Sequence, residues 1–168
     1  MRKVLSIRGP VIRYVTSVAT VVCLGVAGAS AQPGAANGEW GVFGADAGAT
    51  RYSPLDQIDS GNVENLAVAW RWSARDQGTP PPSGRTQISP LVINGVMYTT
   101  IGNQRNVVAL DATSGELVWG WQPSDSERRW GDMIEPVARS AGRGVSYWTY
   151  GEGDERIFVV TPSYQLVA

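Results

Sequence analysis

Hydrophobic positions cluster at the start of the chain in one run, from about Val15 to Val26, and afterwards come only in short bursts. No long stretch after that run keeps the three-to-four spacing of an amphipathic helix. The pattern predicts short strands at Ala67–Ser73, Leu91–Ile93, Val96–Thr100, Val107–Asp111, Leu117–Gln122, Val145–Tyr150 and Ile157–Thr161, with Gln165–Ala168 beginning another. Glycine and proline punctuate them, 20 and 10 in the chain, and many short strands between such breaks predict an all-β fold. Asn94-Gly95 between two apolar runs predicts a tight hairpin that needs positive φ, and Asp111 to Gly115 predicts a second turn. The single helix expected is short, Gly61 to Leu66, with Asp59 or Ser60 as its cap.

A repeat narrows the all-β class. Val96-Met97-Tyr98-Thr99-Thr100, followed by Val107-Val108-Ala109, matches Arg156-Ile157-Phe158-Val159-Val160 followed by Leu166-Val167-Ala168. The spacing is 60 residues at Tyr98 and 59 at Ala109, so the loops differ by one residue. Trp70-Arg71-Trp72 and Trp119-Gly120-Trp121 form a second echo, 49 residues apart. Strand repeats of this length predict the blades of a β-propeller. About two blades are present, and Ala168, the counterpart of Ala109, falls where a strand should continue. A fragment of a longer propeller is therefore expected; a short finished protein or a truncated gene product is the competing reading.

The first segment is an address rather than a fold. Arg2, Lys3, Arg8 and Arg13 precede the apolar run, and Ala29-Ser30-Ala31 closes it with a small-residue cleavage pattern. The run is shorter than the roughly 20 residues that span a bilayer. The expected organisation is a signal peptide over 1–31, a flexible leader over 32–37 and the propeller segment over 38–168, with export to the periplasm. Removing the four basic residues of the signal from fourteen leaves ten arginines against fifteen carboxylates, a net charge of −5. Nucleic acid is a disfavoured partner for such a chain. The only cysteine, Cys23, lies in the signal, and there is no histidine. Disulfides, cysteine or histidine metal sites and a serine triad are all excluded for residues 32–168.

Three motifs carry chemistry or identity. Ala109-Leu110-Asp111-Ala112-Thr113-Ser114-Gly115-Glu116-Leu117-Val118-Trp119 has the form A-x-D-x-x-x-G-x-x-x-W, with Asp111 and Thr113 suited to bonding a turn backbone and Trp119 to packing between blades. Gly38-Glu39-Trp40 to Asp46, then Arg51-Tyr52-Ser53-Pro54-Leu55-Asp56-Gln57-Ile58, forms the second. The third is Gly142-Arg143-Gly144-Val145-Ser146-Tyr147-Trp148, an arginine between two glycines.

Together these resemble the quinoprotein dehydrogenases, enzymes dependent on pyrroloquinoline quinone (PQQ). The first motif resembles their tryptophan-docking repeat, the second the start of their mature glucose, sugar and alcohol dehydrogenases, and the third their R-G-V-x-Y-W segment. The resemblance implies an eight-bladed propeller when complete, and oxidation of a sugar or alcohol with electrons passed to a quinone or cytochrome. It implies that Arg143 contacts PQQ, a planar quinone with three carboxylates, which suits an always-charged fork of donors. It also places a polar residue near the cofactor at Gln87, three positions before Pro90, although Gln87 reads equally well as an ordinary strand-start residue. Calcium would be held by ligands beyond residue 168, where the catalytic aspartate is also expected, so no catalytic residue or metal ligand is assigned here. In the methanol and ethanol branch a pair of adjacent cysteines lies six and five positions before this arginine. Val137 and Ala138 stand there instead, which points to the glucose or sugar branch. The competing class is a non-enzymatic propeller serving as an envelope scaffold; Arg143 and the Trp40–Ile58 segment argue against it.

Overall fold

A computed structural model describes residues 35–77, 86–128, 142–151 and 153–168. The signal peptide, half of the expected leader (32–34), and Val137 and Ala138 lie outside these residues. Among the described residues no helix is long and apolar enough to cross a membrane.

The strands form two antiparallel meanders. In the first, β1 (Leu91–Ile93), β2 (Val96–Ile101), β3 (Asn106–Asp111) and β4 (Leu117–Trp121) pair in chain order. The second pairs β5 (Ser146–Gly151), β6 (Asp154–Val160) and β7 (Leu166–Val167) in the same way. Asn94 and Gly95 both have positive φ, 51° and 76°, as a two-residue hairpin turn requires. The 60-residue echo thus pairs β2 with β6 and β3 with β7, as blades of one plan. A four-residue helix, α1 (Asp125–Arg128), follows β4.

Alternation along β3 explains how the first sheet is covered. Val107 faces a core with Leu91, Ile93, Val145 and Val159, into which Tyr147, Ile157 and Val167 of the second sheet also pack. Val108 and Leu110 point the other way, into a cluster with Ile101, Met97, Trp70 and Trp72. The period of two in a strand makes this division automatic. The second sheet has only its inner face covered. On its outer face Trp148, Tyr150, Val160 and Leu166 are exposed.

Two expectations need correction. Residues 67–73 are extended but belong to no ladder. Their tryptophans lie on the first sheet instead of their backbone joining it. The helix over 61–66 shrinks to a 3-10 turn, Val63–Asn65, because the Asp59 carboxylate accepts the Gly61 N–H at 2.6 Å and the Asp59 carbonyl accepts that of Val63 at 3.0 Å. These local bonds hold the chain in a tight turn that Leu66 leaves in an extended conformation. Within the expected leader, Ala35 is buried and its N–H donates to the Tyr52 carbonyl at 2.9 Å.

The docking motif also works differently from its sequence order. The tryptophan seated on the 111–115 turn is Trp70, whose indole N–H donates to the Ala112 carbonyl at 3.1 Å. A Cβ on Gly115 would lie 2.5 Å from the Trp70 ring, and Gly115 has φ of 74°. Trp119 instead packs against Tyr98, ring centroids 5.9 Å apart, and is 39% exposed. Inside the turn Asp111 accepts bonds from the N–H groups of Thr113 and Ser114 at 2.9 and 2.7 Å, and from the Ser114 hydroxyl. The side-chain partner is thus Ser114 rather than Thr113.

Gly115→Ala should destabilise the protein by about 2–4 kcal/mol, combining the unfavourable φ with the clash on the indole. Combined with Trp70→Ala, the clash disappears, so urea unfolding should show the two losses to be less than additive. The Ser114 bonds, backbone first and then hydroxyl, hold the Asp111 carboxyl below its ordinary 3.8. A lowered folded-state pKa adds stability above the unfolded value, and that stability is lost as pH falls through the folded value. Melting temperature should therefore fall as pH drops below the ordinary carboxylate value of 3.8, and Asp111→Asn should flatten that fall.

Candidate functional site

Gln87 and Arg143 are 56 positions apart in sequence, and the fold brings them together. Gln87 lies just before β1, and Arg143 just before β5. The Ser89 N–H points to the Arg143 carbonyl at 3.5 Å, so the two lead-in segments run side by side. Gly144 makes this approach possible, because a Cβ there would sit 2.8 Å from the Ser89 carbonyl oxygen, with φ at 107°. Gly142, at φ 81°, turns the chain on the other side of Arg143. The two glycines hold the backbone out of the way and leave the guanidinium exposed.

Both residues line a cleft of about 710 Å³. Its polar wall is Gln87, Arg143, Ser146 and Arg105; its apolar walls are Phe43 and the outer face of the second sheet, Phe158, Val160 and Leu166. Phe43 comes from the N-terminal arm, anchored to β1 by a reciprocal Trp40–Val92 backbone pair at 2.7 and 3.1 Å. Glu39 adds to that anchor by accepting the Asn94 N–H at 3.0 Å. Among the described lining residues there are two cations and no carboxylate, although the segment as a whole is acidic.

A second groove, about 820 Å³, runs between the sheets and contrasts with it. Tyr98, Trp119, Trp121 and Tyr147 meet Asp154, Glu155 and Arg156 there. Its carboxylates disfavour an anionic ligand. The Gln87–Arg143 cleft, with forked donors, an amide, a hydroxyl and a flat apolar wall, is suited to a planar polyanion.

The profile of the family described as "PQQ: Glucose/ethanol/alcohol dehydrogenase, beta-propeller domain" matches residues 40–168. The chain belongs to that family. It is 32% identical over 145 residues to the dehydrogenase subunit of the quinone alcohol dehydrogenase of Gluconobacter oxydans, matching 81% of this chain and 17% of that subunit. It is 36% identical over 97 residues to quinoprotein glucose dehydrogenase A of Acinetobacter calcoaceticus, 56% of this chain and 12% of the relative. The solved quinohemoprotein alcohol dehydrogenase ADHIIG of Pseudomonas putida HK5 superposes with a TM-score of 0.55 at 33% identity, over 74% of this chain and 16% of that one. This chain therefore spans less than a fifth of the length of these relatives. The two meanders are two blades of a quinoprotein-type propeller, and the family is one that works with PQQ and a metal.

No group of three or more potential metal-ligating His, Cys, Asp or Glu residues stands together among the described residues. Sequence reading missed Phe43, Ser146 and Arg105. Phe43 lay in view within the Trp40–Asp46 motif, where it read only as packing. Arg105 had no local signal, but the repeat register pairs it with Tyr164: each stands four residues before the matched Ala109 and Ala168.

Gly144→Ala should push the Arg143 lead-in off the Gln87 lead-in. The expected readout is faster hydrogen exchange at the Ser89 amide with the β2–β3 amides unchanged; equal protection at Ser89 would show that the glycine is dispensable.

Proposed function

We propose that this chain provides one wall of the PQQ site of an exported dehydrogenase that oxidises the CH–OH group of an alcohol or sugar and passes electrons to a quinone or cytochrome. The observation behind this reading is the placement of Arg143, held between two glycines on a cleft whose described lining carries two cations and no carboxylate. When bound, the quinone supplies the two-electron chemistry. The chain's own residues have a binding role. Arg143 offers a bidentate fork to a carboxylate, and Gln87 and Ser146 can each donate or accept a hydrogen bond. Phe43 and the Phe158–Leu166 surface exclude water from one side.

Calcium ligation and the catalytic aspartate are assigned to further blades, as is the cover of the exposed Trp148 and Tyr150. The sugar branch is favoured by Val137 and Ala138 standing where the alcohol branch has paired cysteines, and alcohol substrates are favoured by the Gluconobacter and Pseudomonas relatives. The signal pattern ending at Ala31 supports the periplasm as the site of action.

The decisive test is reconstitution of the full-length apoprotein with PQQ and calcium, followed by dye reduction with primary alcohols and aldoses. A protein that takes up no PQQ would remove this reading, whichever substrate is offered. Arg143→Ala should weaken PQQ binding by about 10- to 100-fold, the equivalent of losing a charge-assisted contact, as measured by fluorescence titration. Gln87→Ala should have a smaller effect, several-fold, in the same titration.

A further inference from the structure

Arg105 joins the two blades at the cleft. It stands at the β2–β3 turn of the first sheet with φ of 56°. Its Nη1 donates to the carbonyls of Val160 and Thr161 at 2.9 and 3.0 Å, at the end of β6. Its guanidinium lies over the ring of Tyr164, 5.8 Å from the centroid. Tyr164 is the residue the repeat makes equivalent to it, also left-handed with φ of 63°. The side chain passes directly beneath the Arg143 loop: a Cβ on Gly142 would lie 3.2 Å from Nε and 3.3 Å from Cδ of Arg105. Nε is buried and has no hydrogen-bond partner among the described residues.

A structural tie between two turns does not need a guanidinium. A neutral amide donor could bond the same two carbonyls without a desolvated charge, and burial does press against this one, lowering its pKa. A buried donor without an acceptor also has a cost that calls for a reason. Holding a hydrogen-bonded, planar group directly under Gly142, at the edge of a cleft with no carboxylate in its described lining, supplies that reason, because it supports the loop that carries Arg143.

We infer that Arg105 is a positioning residue of this cleft: its guanidinium, clamped to the second blade, supports the Gly142-Arg143-Gly144 loop so that Arg143 meets an anionic carboxylate ligand. This rests on the proposed PQQ reading. Two consequences separate it from a purely structural role. The effect of Arg105 on the ligand is transmitted through Arg143, and it depends on the planar guanidinium rather than on charge alone, since a lysine could bond the two carbonyls that Nη1 reaches but could not also lay a flat group under Gly142 and over Tyr164.

The experiment is PQQ titration of the full-length protein and of Arg105→Met, Arg105→Lys, Arg143→Ala and the Arg105→Met/Arg143→Ala double variant, with circular dichroism confirming the fold. Arg105→Met should weaken PQQ binding about tenfold, and Arg105→Lys about threefold. In the Arg143→Ala background the Met substitution should cost less than about twofold. The absorption band of bound PQQ should also move toward that of the free cofactor in Arg105→Met. If Arg105→Met fails to fold, Arg105→Lys is compared in both backgrounds and decides the question. Parent-like affinity in the folded Arg105 variant, or losses that add fully to that of Arg143→Ala, would overturn the assignment while leaving the PQQ site itself in place. Failure of the unaltered protein to take PQQ would remove both.

Discussion

An antiparallel sheet in this fold has two faces to cover, and the seating of Trp70 on Gly115 shows how the first blade solves one of them. The indole comes from a segment outside the ladder, lies on the turn where no Cβ could fit, and donates its N–H to Ala112. Behind it, Val108 and Leu110 gain an apolar partner on the side away from the second sheet. The opposite side is covered by the second blade through Leu91, Ile93, Val107, Val145 and Val159. The first blade is thus packed on both faces at its middle, its third strand buried at five of six positions, while β4 stays largely exposed. The second packs its inner face against the first, while Trp148, Tyr150, Val160 and Leu166 on its other face are exposed.

The site follows from that stacking. With the two sheets packed face to face, their lead-in segments must run alongside one another, and this is where Gln87 and Arg143 meet. The turns at one end of the sheets also come together: the β2–β3 turn reaches the end of β6 through Arg105, and α1 reaches the β6–β7 turn, where the Ser163 hydroxyl donates to the Glu127 carbonyl at 2.7 Å. The glycines beside Arg143 are tolerated because neighbouring strands fix them in place. Gly144, for example, lies against the Ser89 carbonyl.

Much of this was legible from sequence, for reasons that differ by element. The seven strands of the two meanders showed themselves because each is short, apolar and bounded by a turn with its own chemistry, Asn94-Gly95 being the clearest. The 60-residue echo revealed the blade plan because equivalent strands must bury equivalent faces. Residues 67–73 misled because their composition suits a strand, whereas ladder membership depends on a neighbouring backbone that composition does not encode. The motif named the turn and set Trp119 toward the neighbouring blade, where it lines the groove between the sheets, but it could not name Trp70, the indole seated on the turn, which lies 42 positions before Ala112. Arg143 could be singled out as a candidate because its glycines are local. Arg105 could not, because its meaning lies in Val160, Thr161 and Gly142, which are 37 to 56 positions away.

The charge distribution carries the functional argument one step further. Residues 32–168 are acidic overall, so a cation-lined cleft within them is not a by-product of composition. Carboxylates are instead engaged elsewhere: Asp46 by Thr50, Asp111 by Thr113 and Ser114, Glu127 by Ser124, Asp154 by Arg156. Each of these four has its own donors close by in sequence, and none lines the Gln87–Arg143 cleft. A local surplus of positive charge in a negative segment attracts a polyanion to that place and repels it from the rest of the surface. If Arg143 holds the cofactor as proposed, the acidic composition sharpens its selectivity for a small, multiply charged ligand over an extended anion such as nucleic acid, whose phosphates would have to lie along the repelling surface as well.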